Sequence, residues 1–380
     1  MNNSNRQPIG QYIGEYINIT TNNRGLIVVD GNISKEGANS LHITVYTWNN
    51  RFYSGTITLQ KEDNSQNEWQ PVLVSEFEHV QPLRIQKNNS IVKLGSARAR
   101  IKLNNLFHDD MNIEFSLEDV DDTHCKTVTL YHNHNKYSDN LGTDISWDEF
   151  RDLVTRQYCG TGFVFRGQPG NYRIRSSYHR TGNSDIEQYV NEYLPDLRRQ
   201  IISMTPGFEL INTSNQNLAI LTLLQHHGYP TPVIDWTESP YIAAFFAYAD
   251  VIAEKTSTVR IIAFNLRKYA KSFDQLEDLN NSVPHASFFQ TSPLYNPRAL
   301  PQQSVSCLTT IDDVERYFEI VRYSEEDRPE YIKYYSLPYG DRERALSELE
   351  TMGITYATMF PGLDGVCRHY RKKHFYFADA

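Results

Sequence analysis

Through the first third of the chain, apolar and polar positions alternate with a period near two. The segments GLIVVDGNI (25–33), LHITVYTW (41–48), RFYSGTITLQ (51–60), PVLVSEF (71–77), SIVKLGSARARIKL (90–103) and MNIEFSLEDV (111–120) are rich in β-branched and aromatic residues and are separated by polar turns. Repeated at roughly 10 to 15 residue intervals, the pattern predicts an antiparallel all-β sandwich or barrel over residues 1–140. No catalytic constellation falls here, so the region reads as a partner-recognition module. The polar, turn-rich stretch TLYHNHNKYSDNLGTD (129–144) marks the boundary that follows. Its HNHN at 132–135 reads as linker histidines, because a nuclease unit needs those residues on a specific hairpin and helix.

Beyond that boundary the period changes. Ser146 with Glu149 forms a capping box ahead of a helix over 147–158, and GFVFRGQ (162–168) has the apolar character of a short central strand. A second capping signature, Ser184 with Glu187, predicts a helix reaching about Ser203. The helix Asn217 to His226 ends where Gly228 takes the left-handed conformation and Pro230 forbids resumption. Val233 and Ile234 are extended, and Ser239 before Pro240 is the favoured order for opening a helix. That helix, to Asp250, is apolar nearly all round and therefore buried on more than one face.

Further on, TVRIIAFNL (258–266) reads as β-rich, 274–280 as helical, and NPRALPQQSVSC (296–307) leads into an alternating run. YIKYYSLP (331–338) reads as a strand, Asp341 caps a helix to Met352, and a last helix lies around 363–370. The chain is thus expected to be multidomain, with an N-terminal all-β sandwich or barrel followed by a mixed α/β (α+β) domain over 141–380. Parallel and mixed pairing remain open at this point.

Two places concentrate candidate chemistry. An arginine at the end of an apolar strand, Arg166, needs an anion or the backbone carbonyls of a neighbouring loop, and Gly167 permits close approach of a ligand or another backbone. The Pro-locked turn between two buried helices presents His226, His227, Asp235, Trp236 and Thr237, and loops held by such scaffolds are where binding and catalysis concentrate.

Composition narrows the classes. A formal charge of −9 over 380 residues argues against broad capture of a nucleic-acid backbone, although Arg166, Arg173, Arg175 and Arg180 are close together and RHYRKKH (368–374) is basic; both runs read first as solvated surface. No apolar stretch is long enough for a membrane span, and MNNSNRQPIGQ lacks the form of a secretion signal. Cys125, Cys159, Cys307 and Cys367 are scattered without metal spacing, which fits a reducing, cytoplasmic compartment and predicts no metal site. No Gly-rich phosphate loop, GxSxG or HExxH is present.

Four segments, FRGQ (165–168), LQHHGYPTPVIDWTESPYIAAFFA (224–247), RALPQQS (298–304) and LETMGITYATMFPGLDGVC (349–367), together resemble the FRG-domain family. That family is named for its Phe-Arg-Gly motif, and its hallmark is a segment of the type LQHxGxPTxxxDWTxSPxxAxxFA. Residues 1–140 lie outside the resemblance. Two positions depart from it: Pro232 stands where the family commonly has Arg, and Ser304 where it tends to have Gly.

The order of these motifs is similar to that of ADP-ribosyltransferases, and the family resembles parts of bacterial toxin and anti-phage systems. The resemblance implies NAD+ as substrate, cleaved at its nicotinamide-ribosyl bond, with ADP-ribose passed to water or to a protein or nucleic acid. On that reading Arg166 anchors the diphosphate with Gly167 beside it, and Trp236 or Tyr178 stacks on nicotinamide. Thr237 and Ser239 supply hydroxyl contacts, and Gln303 occupies the place of the usual glutamate. Glu315 and Glu319 are candidate replacements for that carboxylate, or else the exposed face of a short helix. His226 and His227 each have two readings, a satisfied structural histidine that fixes the turn or a proton carrier oriented by Asp235. A regulatory protein bound through the N-terminal module is a further expected partner. Two alternatives stand beside this one: a non-catalytic module for an anion or peptide, and a metal-dependent nuclease using His226, His227 and Asp235.

Overall fold

The structure, a computed structural model, describes residues 10–17, 24–33, 39–47, 51–61, 69–74, 77–80, 93–104, 110–118, 128–131, 136–204, 214–250, 257–276, 284–290, 296–324 and 327–375. It is mixed α/β, with strands gathered into two sheets. The first sheet contains β1 (Gly10–Ile17), β2 (Arg24–Ile33), β3 (Asn39–Thr47), β4 (Arg51–Lys61), β5 (Trp69–Val74), β6 (Phe77–Val80), β7 (Lys93–Asn104), β8 (Asp110–Glu118) and β9 (Val128–Tyr131). Their order is β3-β2-β1-β9-β8-β7-β6-β4-β5, and β3 also pairs with β4. Strands β1 and β9 were not among the predicted segments. Glycines interrupt the apolar pattern of β1, and β9 is four residues long at the edge of a polar stretch. The HNHN histidines lie outside the described residues.

The second sheet is built from β10 (Thr143–Asp144), β11 (Val164–Gln168), β12 (Val233–Thr237), β13 (Thr258–Phe264), β14 (Ala286–Phe289), β15 (Ser304–Thr309) and β16 (Ile332–Pro338). Its order is β10-β16-β13-β11-β12-β15-β14. Only β10 with β16 is parallel; the other described pairings are antiparallel. The helices are α1 (Trp147–Leu153), α2 (Ile186–Gln188), α3 (Leu194–Met204), α4 (Ser214–His226), α5 (Pro240–Ala249), α6 (Leu266–Ser272), α7 (Val314–Val321), α8 (Arg342–Thr351), α9 (Tyr356–Met359) and α10 (Leu363–His374).

One pairing organises the centre of this sheet. Strand β11 pairs with β13 over all five of its residues, from Val164 with Phe264 to Gln168 with Arg260. Strand β12 pairs with β15 from Val233 to Thr237. Between β11 and β12 the only register pair is Phe165 with Thr237. The two halves of the sheet are hinged there and part beyond it.

Period-two alternation in β11 puts Phe165 and Gly167 on one face, against α5, and Val164 on the other with Ile234 and Trp236. The apolar sequence of α5 follows from this position: Ala243, Ala244 and Ala247 are fully buried against the sheet. Its start is capped as the sequence predicts, Ser239 Oγ accepting from Ile242 N (3.3 Å).

The first sheet adjoins the second. Ile13, Leu26 and Val28 share a buried cluster with Val314 and Phe318 of α7. The side-chain amide of Gln11 donates to Thr310 O (2.8 Å), and Gln11 Oε1 accepts from Asp312 N (2.8 Å).

Three local expectations are corrected. The helix after residue 184 is capped by Asp185, whose carboxylate accepts from Gln188 N (2.8 Å), and not by Ser184. Of the helix expected over 274–280, Asp274 to Leu276 are not helical and 277–280 lie outside the described residues; Leu276 N donates to Ser287 Oγ (2.9 Å) and Gln275 Oε1 accepts from Phe288 N (2.7 Å), which ties the segment to β14. The Asp341 carboxylate accepts from Trp147 N (2.9 Å), joining α8 to α1 instead of capping its own helix.

Candidate functional site

Asp235 is exposed although it lies in the middle of a central strand, with Val233, Ile234, Trp236 and Thr237 buried on either side. A solvent-reached carboxylate at such a position means that the sheet is open above it. Helix α4 ends beside the opening, and its Gln225 amide donates to the Asp235 carboxylate (2.6 Å) while Gln225 Oε1 accepts from Thr231 Oγ1 (2.8 Å). Gly228 at φ 84° turns the chain from α4 back towards β12, as the sequence predicts.

Arg166 fills the parting of the strands. Asp235 O loses a ladder partner where β11 diverges, and the Arg166 guanidinium donates to it instead through Nη1 (2.5 Å). Arg166 Nε is buried and has no partner. Burial pushes the Arg166 pKa down, Asp235 opposes that shift, and Arg180 adds to it.

Two more arginines belong to the same neighbourhood. Arg180 Nη1 donates to Arg175 O (2.8 Å), and its pKa too is lowered by burial and by Arg175 and raised by Asp235. Arg298 Nη1 lies 3.5 Å from His226 O, and its guanidinium stands over the Phe360 ring at 5.2 Å. Burial lowers the His226 pKa; Asp235 works against that and Arg298 with it, so the ring is neutral at pH 7.

The remaining site residues of the sequence reading fall elsewhere. Trp236 and Tyr178 are 3% and 2% exposed. Trp236 packs on Phe264 and Phe288, and Tyr178 on Tyr189, so neither offers a free face to a nicotinamide. Gly167 gives close approach to a helix and not to a ligand: an added Cβ would stand 1.8 Å from Ala243 O. Thr237 Oγ1 donates to Gln302 O (2.7 Å), and the Ser239 hydroxyl caps α5.

Gln303 is exposed in a left-handed turn, φ 46°, just before β15, and its carbonyl accepts from Glu238 N (3.0 Å). The neighbouring Gln302 amide is anchored to Met359 O (2.8 Å). Glu315 is not on an exposed helix face: it is 2% exposed and ion-paired with Arg260 (3.1 Å). Glu319 pairs with Arg316 on the surface (3.0 Å).

Among the described residues no three His, Cys, Asp or Glu side chains are grouped to hold a metal ion, so His226, His227 and Asp235 do not form a ligand set. No helix among those residues is long and apolar enough to cross a membrane.

Sequence reasoning missed Gln225, Arg180 and Arg298 as members of the site. Arg180 shows in the sequence only as one of several neighbouring arginines, and Arg298 only as part of the segment leading into β15.

Around the parting of β11 and β12 the mixed α/β domain thus gathers the exposed Asp235 carboxylate, the Arg166 guanidinium on Asp235 O and the Gln225 amide. Residues 161–256, from the approach to β11 through the end of α5, match the family model of the FRG domain, and the chain carries an FRG domain over that span. The match contains Arg166, His226 and Asp235 and stops short of Arg298 and Gln303. No curated protein and no solved structure matches the chain.

Proposed function

We propose that the FRG domain is a binding module for an anionic ligand, seated over Asp235 and held by Arg166. The observation that carries this reading is the Arg166 guanidinium at the strand parting, bonded to Asp235 O with further donors left over. A guanidinium is the side chain best suited to a planar or phosphate oxyanion, and its charge persists despite burial. ADP-ribose and NAD+ are the first ligands to titrate, by calorimetry. Arg166→Gln keeps a donor for Asp235 O and removes the charge; it should abolish binding in a protein that still folds. Equal affinity in the two proteins would end the proposal.

A second reading, ADP-ribosyl transfer or NAD+ hydrolysis within a bacterial toxin or anti-phage system, follows from the family resemblance. It is favoured by one feature, the solvent-reached Asp235 carboxylate close enough to Arg166 to act on its charge. The residues fit NAD+ only in part: guanidiniums suit its diphosphate, while Trp236 and Tyr178 are buried and Gln303 carries no charge. Nicotinamide release by the wild type and not by Arg166→Gln would support transfer over binding alone. Residues 1–140 we read as an all-β partner-recognition module. The pairing of β3 with β4, which brings the strand order back on itself, favours a barrel over an open sandwich.

A further inference from the structure

Helix α10 is held to the domain by one face. Gly365 lets it lie against the end of α9, since an added Cβ would stand 1.9 Å from Phe360 O and 2.9 Å from Tyr356 O. Further along, Arg368 and Lys372 reach the Asp250 carboxylate that follows α5 (2.6 and 3.5 Å), and both stand over the Tyr356 ring at 4.6 Å. Lys372 Nζ also donates to the Tyr356 hydroxyl oxygen (2.8 Å). Residues three and four apart share a helix face, so 365, 368, 369 and 372 make up the docked one.

The opposite face carries Leu363, Val366, Cys367 and Tyr370, again three and four apart, and it is open: Leu363 is 77% exposed, Tyr370 48% and Val366 41%. A single exposed leucine is ordinary, but an apolar stripe along two turns of one helix has the form of a helix-packing surface. Charge along the helix narrows what covers it. Of the basic run 368–374, Arg368 and Lys372 are turned inward on Asp250, and Lys373 lies 3.9 Å from Glu350. The stripe therefore lacks the uniform positive border that suits a nucleic acid or an anionic membrane. It has instead an acid in its first turn, Asp364, and on the same rim in its last turn a base, Arg371.

We propose that the open face of α10 is covered by the same face of a second copy of this chain, the two helices running antiparallel. A face with an acid at one end and a base at the other is complementary to itself in that arrangement alone. A two-fold axis near Cys367 sets Asp364 of each copy beside Arg371 of the other, brings the two apolar stripes together, and opposes the helix dipoles. In a parallel pair, like charges meet at both ends. A helix of 12 residues is about 18 Å long, so the contact is small and the dimer weak, with dissociation in the micromolar range or above. The proposal does not depend on what the FRG domain binds.

The test is sedimentation equilibrium of the full chain, up to a few hundred micromolar, in wild type, Leu363→Glu, Asp364→Arg and the double variant Asp364→Arg with Arg371→Asp. The wild type should pass from monomer to dimer with concentration. Leu363→Glu and Asp364→Arg should each weaken the dimer by at least about tenfold, and the double variant should recover most of that loss, because exchanging the two charges restores the contact. Melting temperatures of the two single variants should stay at the wild-type value, since both side chains are exposed. A short bis-maleimide should join two wild-type chains and fail with Cys367→Ser, which distinguishes this thiol from the exposed Cys159. A wild type that remains monomeric at the highest concentration overturns the proposal, as does a dimer that Leu363→Glu leaves intact. A monomeric wild type that binds phosphatidylserine vesicles through α10 would give the face to a membrane and overturn it too. Failure of the double variant to recover overturns the antiparallel pairing.

Discussion

Gly167 and Ala243 meet backbone to backbone: a Cβ on Gly167 would lie 1.8 Å from Ala243 O and 2.7 Å from Ala247 N. Neither neighbour is the flexible end of a side chain, so the strain cannot be relieved by a rotamer change. Helix α5 would have to lift from β11, uncovering Phe165 and the alanines packed there. Gly167→Ala should therefore destabilise the domain by about 3 kcal/mol or more, at or above the upper end for overpacked cores. Urea unfolding of the two proteins measures this, and equal midpoints would show that the helix is not seated as described.

Glu315 makes the complementary case. Its carboxylate accepts from Ile174 N (3.0 Å) and from Arg260 Nη1 (3.1 Å), and the Ser138 hydroxyl also donates to it. The Arg260 guanidinium in turn lies over Tyr334 at 4.2 Å. Glu315→Gln leaves Arg260 with a buried, uncompensated charge, which costs about 3–5 kcal/mol. Folded Glu315→Gln protein should still bind the anion with wild-type affinity, because Glu315 lies outside the cleft. Weakened binding with unchanged stability would instead return Glu315 to the site.

Much of the fold was legible because local rules and tertiary packing agree. Gly228 and the Ser239-Pro240 pair sit where capping chemistry puts them, and α5 is buried as its unbroken apolar sequence requires. The Phe-Arg-Gly and Asp-Trp motifs, two separate places in the sequence, meet at the junction of β11 and β12. The roles within that place were not legible. Whether Trp236 stacks on a ligand or fills a core depends on which face of β12 is covered, and that is decided by strands and helices distant in sequence. Arg180 and Arg298 give no sign in isolation, since an unmatched guanidinium is recognised only once the carboxylates of the folded chain have found their partners.

The carboxylate of Asp235 opposes any anion brought into the cleft, and its bond from Gln225 shows that an amide is tolerated beside it. Asp235→Asn preserves an oxygen for Gln225 and removes one negative charge from beside the Arg166 guanidinium. The substitution should tighten ADP-ribose binding by roughly fivefold, about 1 kcal/mol, with little change in folding stability. If ADP-ribosyl transfer is the activity, the same variant binds ADP-ribose and fails to release nicotinamide from NAD+. Parallel calorimetry and nicotinamide assays separate the two readings, and weaker ADP-ribose binding by Asp235→Asn would count against both.

The junction of the two sheets carries a titration of its own. Asp30 of β2 accepts from the Gln11 amide (2.9 Å), the same side chain that bonds Thr310 and Asp312 across the junction. Burial pushes the Asp30 carboxyl from 3.8 up to about 7, the Gln11 bond works against that, and Asp185 and Asp312 add to it. Between those values the folded chain keeps a proton that the unfolded chain has lost, so this group's contribution to stability is complete below pH 3.8 and is lost as pH rises through about 7. Asp30→Asn retains an acceptor for Gln11 and cannot ionise. The variant should match the wild type near pH 4 and be the more stable by pH 8, as read from urea unfolding. Two buried histidines act in the opposite sense: His179 and His285 are pushed down from 6.5 to about 4 and withdraw stability on acidification. Both are present in each protein and cancel in the difference, as does Asp313, raised to about 6. A difference that stays flat from pH 4 to pH 8 would mean that Asp30 ionises at its ordinary value and that water reaches the junction.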